Sequence, residues 1–171
     1  MSKIPEKYDP YPIKTHGLGA FPIVTCEDAF CGLKEPNDSM DMSQKKYSMA
    51  KYMGAHCQGQ KEIALDHIGP TIRSEHHGNI EYRRLSREHG GVIMEELDAG
   101  LQERRLTPRE CALIQTFPPD YPFVLRKKEH TRFELTASGA YKVIGNAVPP
   151  VLAYHIANRI QDLWPLYFKK R

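Results

Sequence analysis

No apolar run in this 171-residue sequence approaches the ~20 residues that a membrane-spanning helix needs. The opening segment, MSKIPEKYDPYPIKTHG, lacks the apolar stretch of a secretory signal. Cysteine is scarce. The four at positions 26, 31, 57 and 111 are too sparse for a disulfide framework, so reduced thiols in a cytoplasmic setting are expected. A glycine-rich phosphate loop is also missing, since GLGAF at 17–21 is too short and follows no strand. Nor is there a strong excess of one charge. A net charge of +3 with eight histidines permits a polyanionic partner without requiring one.

What the chain has in quantity is punctuation: thirteen prolines and twelve glycines, which point to a loop-rich α+β body rather than a helical bundle. Pro5, Pro10, Pro12 and Pro22 disfavour helix before them and make residues 1–22 an extended arm. Thr25 then suits the N-cap of a short helix, TCEDAFCGL, with Glu27 and Asp28 at its positive end and Gly32 as its stop. Residues 34–60 have no clean period and read as loop with a short helix near 43–53. KEIAL, GPTIRS and NIEYRRL, between 61 and 85, alternate apolar and polar residues between turns and predict small strands.

The clearest local signal is RRLTPRECALIQTF at 104–117. Thr107 caps it, Pro108 fits the first turn, Glu110 completes a capping box, and Pro118-Pro119 ends it. YKVIGNAVPP at 141–150 reads as a glycine-asparagine turn feeding a last helix that starts at Pro149-Pro150. In that helix Leu152, Ile156, Ile160 and Leu163 form a stripe expected to be buried.

Three groups of residues bear on chemistry. Arg73, Arg83, Arg84 and Arg87 are arginines whose planar forks can read guanine edges. Equally, Glu75, Glu81 and Glu88 interleave with them, which describes an ordinary solvated face. Cys26 and Cys31 fall five apart on one helix, and with His56-Cys57 they make a poor metal set, so no metal is expected. Cys111 lies beside Arg109 near a helix N-terminus, but its spacing to Ile114 suits an inward-facing core residue better than a nucleophile.

Two stretches are more specific than any of these. RRLTPRECALIQTFPPDYPF (104–123) resembles the ninth conserved block of DNA cytosine-5 methyltransferases, and YKVIGNAVPPVLAYHIA (141–157) resembles the tenth, in the family's order and spacing. Thr71-Ile72 looks like the Thr-Leu/Ile pair of the family's target-recognition domain, and PYPIKTHG and VTCEDAFCGL look like the segment before it. Leu113 stands where many members have a basic residue, and Val143 where many have glutamine.

The family's Phe-x-Gly-x-Gly turn, its Pro-Cys nucleophile, its Glu-Asn-Val and its Gln-x-Arg-x-Arg block do not occur in these residues. The four cysteines follow Thr25, Phe30, His56 and Glu110. The resemblance therefore implies no catalytic residue here, an arm at 1–22, a small target-recognition domain with short strands at 23–103, and a segment at 104–171. The helices of that last segment would complete the Rossmann-like catalytic domain of a partner. It implies S-adenosylmethionine lined by Asn146, Ala147 and Val148, and double-stranded DNA met by Thr71, Arg73, Arg83 and Arg84. Arg104, Arg109 and Glu110 would brace the fold. The partner would be a catalytic subunit carrying the missing blocks, as in a split enzyme of restriction-modification type. Likeness to GGCC-modifying members is a further expectation, and a fragment acting only as a sequence-specific DNA-binding protein is the alternative.

Overall fold

The computed structural model describes all residues except 1–4, 6–7, 18–20, 75–78, 124–134 and 169–171. The chain divides into two units, one of residues 24–147 and one of residues 1–23 with 148–171. The break anticipated between 103 and 104 falls inside the larger unit.

That unit is α+β. It contains α1 (Cys26–Phe30), α2 (Met42–Lys45), β1 (Tyr82–Arg84), α3 (Met94–Asp98), β2 (Arg104–Arg105), α4 (Pro108–Ile114) and α5 (Ala137–Asn146). Two of its helices are fixed at the start by capping boxes. Thr25 and Asp28 cap α1, and Thr107 and Glu110 cap α4, each side chain accepting from the other's backbone amide. Only one of the three anticipated strands forms. β1 pairs antiparallel with β2 through an irregular register, and the 61–65 stretch contributes a single parallel bridge, Glu62 to Tyr82. In β1 itself Tyr82, Arg83 and Arg84 are all buried, so the strand lacks the buried-exposed alternation that the sequence suggests. The helix expected near 43–53 is limited to α2, after which the chain runs as loop.

The core joins Cys26 and Phe30 of α1, Ile63, Ile72 and Ile80 from the loops, Leu106, Cys111 and Ala112 around α4, Phe123, and Ala140, Tyr141 and Ile144 of α5. α5 corrects the sequence reading. YKVIGN is not a turn but the second half of a ten-residue helix that Thr136 caps through the Gly139 amide. Gly145 is needed there for close approach rather than for a turn, because a Cβ would run into the backbone of Arg73 and Ser74.

The smaller unit is dominated by α6 (Pro150–Tyr167), eighteen residues with Pro150 in its first turn and Pro165 inside it. Arg159 Nε donates to the Asp9 carbonyl at 3.0 Å. The predicted stripe is not buried as a whole. Leu163 is 6% exposed, but Leu152, Ile156 and Ile160 are 47%, 36% and 47% exposed.

Candidate functional site

The two blocks that carry the resemblance are fastened to each other. Tyr141 of α5 donates its hydroxyl to the Leu106 carbonyl at 2.7 Å, just ahead of α4, and accepts the Ser48 amide at 3.1 Å. Gln115, at the C-terminal end of α4, donates to the Ile144 carbonyl at 3.3 Å. Burial pushes the Tyr141 phenol well up, so it acts as a neutral hydrogen-bonding strut. α5 thereby delivers Asn146 and Ala147 to its own end. Asn146 is exposed, Ala147 is extended, and Val148, the first residue of the other unit, is 62% exposed.

Around α4 lies a buried ion-pair framework. Arg104 makes a two-pronged contact with Glu110 at 2.9 Å and 2.9 Å and another with Glu35 at 3.0 Å and 3.1 Å. Burial works against the Arg104 charge, but Glu110 and Glu35 outweigh it and raise its pKa. Arg109 donates to Asp41 at 2.6 Å and to the Pro118 carbonyl. The planar guanidinium suits such shared, two-pronged pairing, which an ammonium could not reproduce.

Arg83 and Arg84, expected at DNA, are turned into the same framework. Arg83 grips Glu96 at 3.1 Å and 2.5 Å. Arg84 has no exposed surface and divides its donors among Glu96, Glu35 and the Gln102 carbonyl. Of the four residues assigned to DNA, Thr71 is exposed and Arg73 is partly exposed, the latter paired with Glu81 at 3.0 Å. The extra negative partners, Glu35 and Glu96, carry no short-range sequence signal, because each lies 12 to 69 residues from the arginine it serves.

Arg105 is the residue the sequence reading missed. It is 1% exposed and has no carboxylate partner among the described residues. Its donors reach the carbonyls of Ala50 at 3.0 Å, Gly59 at 2.8 Å, Lys51 at 3.3 Å and Ile80, and its guanidinium lies 4.2 Å from the Tyr82 ring centre. Burial lowers its pKa, and the nearby phenols and carboxylates offset part of that.

Burial raises the thiols of Cys26 and Cys111, the direction opposite to the one a thiolate needs. Among the described residues no cluster of three metal-ligating side chains occurs, and no helix is long and apolar enough to cross a membrane.

Helix α4, opened by a Thr-Pro-x-Glu capping box, is thus locked to α5, whose last residues Gly145 and Asn146 lead into Ala147 and Val148. The family model of C-5 cytosine-specific DNA methylases matches residues 21–162, and the chain belongs to that family. It is 27% identical to the type II methyltransferase M.BsuRI of Bacillus subtilis over 92% of this chain and 35% of that protein. It is 40% identical to M.MthTI of Methanothermobacter thermautotrophicus over 81% of this chain and 43% of that protein. A shorter likeness, 36%, joins it to M.AquIB of Picosynechococcus over 36% of this chain and 45% of that protein. The chain thus spans less than half the length of each of these relatives.

Proposed function

We propose that these residues form the DNA-recognising part and one cofactor wall of a cytosine-5 DNA methyltransferase of restriction-modification type. The thiolate and acid that attack and protonate the cytosine come from a catalytic module bearing the Pro-Cys and Glu-Asn-Val blocks. On this reading the chain alone transfers no methyl group. The observation that supports it most is the mutual locking of α4 and α5 by Tyr141 and Gln115, which fixes where Asn146 and Ala147 are presented.

The exposed carboxamide of Asn146 and the open apolar side chain of Val148 fit one wall of a site for S-adenosylmethionine, offering a hydrogen-bonding edge and an apolar surface. When bound, that cofactor supplies the methyl group. The residues of this chain bind and orient its methionine end and exclude water there. Thr71 and Arg73 face the DNA, while the Arg83 and Arg84 framework holds β1 in place. The exposed Leu152, Ile156 and Ile160 of α6 pack on the catalytic module, completing its Rossmann-like domain.

Co-expression with a family catalytic module from the same genome, followed by cleavage with methylation-sensitive restriction enzymes, tests the reading. Protection of the DNA is expected only with both polypeptides present, and it should fall sharply with Asn146→Ala. Absence of protection with every such module, beside sequence-specific binding by this chain alone, would instead identify a DNA-binding protein without catalysis.

A further inference from the structure

Most of the described arginines are occupied by carboxylates, whereas one run of lysines is not. From Met42 to Lys61 the sequence contains Lys45, Lys46, Lys51, Lys61 and His56 and not one Asp or Glu. Four positive charges thus gather in a short segment of a chain whose net charge is only +3. All four lysines are exposed, and none lies in an ion pair among the described residues. Arg73, Arg83, Arg84, Arg87, Arg104 and Arg109, by contrast, each hold a carboxylate.

The backbone explains how this run is displayed. The carbonyls of Ala50, Lys51 and Gly59 all turn inward to Arg105, and the Ala50 carbonyl also accepts from the Tyr82 hydroxyl at 3.3 Å. The Ser48 amide is held by Tyr141, and the Met53 amide by Gln60 at 2.9 Å. Gly54 and Gly59 turn the chain with φ of +99° and +71°, and a Cβ on Gly59 would collide with the Asn79 backbone. With the polar backbone tied down inside, the long lysine side chains are left to the solvent side. The loop is therefore fixed at its base by a buried cation and presents cations outward.

We propose that segment 45–61 is the surface by which this chain holds the phosphate backbone of duplex DNA, Arg105 being its positioning residue. This rests on the methyltransferase reading above, which makes DNA the partner; the unopposed charge identifies phosphate as the group met. Contacts of this type position the protein without reading sequence.

Duplex DNA binding by the full chain is measured across a salt series. Lysines that meet phosphates each contribute about 0.9 to the slope of log affinity against log salt. A triple variant, Lys46→Gln with Lys51→Gln and Lys61→Gln, is therefore expected to flatten that slope by roughly 2 to 3 and to weaken all sequences alike. A matched variant removing the exposed Lys14, Lys34 and Lys142 should leave the slope near wild type. Arg105→Met should weaken binding with the lysines intact, and Arg105→Lys should rescue it only in part. Equal flattening by both triple variants, or none by the first, overturns the assignment of this surface. Failure of the wild-type chain to bind DNA in a salt-dependent way, both alone and together with the catalytic module, overturns its reading as the DNA-recognising part, and this proposal with it.

Discussion

Helices α4 and α6 both begin at a proline and both carry the family's block sequences, yet they live in opposite surroundings. In α4, Pro108, Arg109, Glu110, Cys111 and Ala112 are all buried, and both ends of its first turn are satisfied by Thr107 and Glu110. In α6 no side chain caps the N-terminus, and Val151, Leu152, Tyr154, Ile160 and Trp164 are all exposed by about half or more. The difference teaches that α4 finds its stabilising partners within this chain. In α6 most of the apolar stripe is left half open, so the burial that would hold such a stripe in place is only partly supplied by the described residues.

The sharpest way to break this contrast is at Arg104. Arg104→Met leaves Glu110, itself 2% exposed, without its guanidinium and strips Glu35 of one of its two arginines. Removing one partner of a buried pair costs about 3–5 kcal/mol, so urea unfolding should show a large loss or no cooperative transition. A loss near zero would mean that the framework does not hold α4. Next in size is Gly145→Ala, which forces α5 away from the backbone of residues 73 and 74. Overpacking of this kind costs about 1–3 kcal/mol, and the same change should lower methylation by displacing Asn146. A third variant, Thr107→Ala, removes the α4 cap and the hydroxyl that donates to Gln44 at 2.6 Å, for about 0.5–2 kcal/mol. The same substitution has no counterpart in α6, which has no such cap to lose.

The framework also predicts acid sensitivity. Burial pushes the Glu35 carboxyl up, but its hydrogen bonds and charge pairing with Arg104 and Arg84 outweigh this and hold it below its ordinary 4.5. Glu96, against Arg83 and Arg84, and Glu103, against Ser86 and His89, follow the same balance. Each folded carboxyl therefore binds its proton at lower pH than the unfolded one. Their stabilisation is fully present above the ordinary Glu range, starts to fade as pH falls through it, and is gone once the folded carboxyls protonate. Thermal melts between pH 7 and pH 3 should show this decline, and Glu35→Gln should be less stable at neutral pH with a shallower decline.

How far the sequence anticipated all this depended on the distance over which each signal acts. The caps Thr25 and Thr107 act within three residues, and both capping boxes stand where the letters place them. α5 was missed because its Gly-Asn pair suggested a turn, although Thr136 followed by Ala140, Tyr141 and Ile144 at helical spacing was the signal for a capped helix. The arginines are a different case. Whether Arg84 points to solvent or inward is decided by Glu35 and Glu96, 49 and 12 residues away, and no local pattern expresses such a pairing. Arg105 is harder still, since its partners are carbonyl groups that every residue possesses.

The smallest expected effect on stability carries the most weight for the comparison. In the chain by itself Ile156 and Ile160 keep 36% and 47% of their surface exposed, so Ile156→Gln with Ile160→Gln should shift unfolding by about 0.5 kcal/mol per site, short of what a core substitution costs. If α6 docks on a catalytic module, the same pair of changes takes two apolar anchors out of that contact and should sharply reduce both co-purification and methylation. A helix that were merely solvated would lose neither. A helix covered by its own chain in solution would instead lose stability on the scale of a core substitution, about 2 kcal/mol or more for the pair. Measuring unfolding and assembly on the same variant separates the three outcomes, and only unchanged stability together with lost assembly assigns the stripe to a partner.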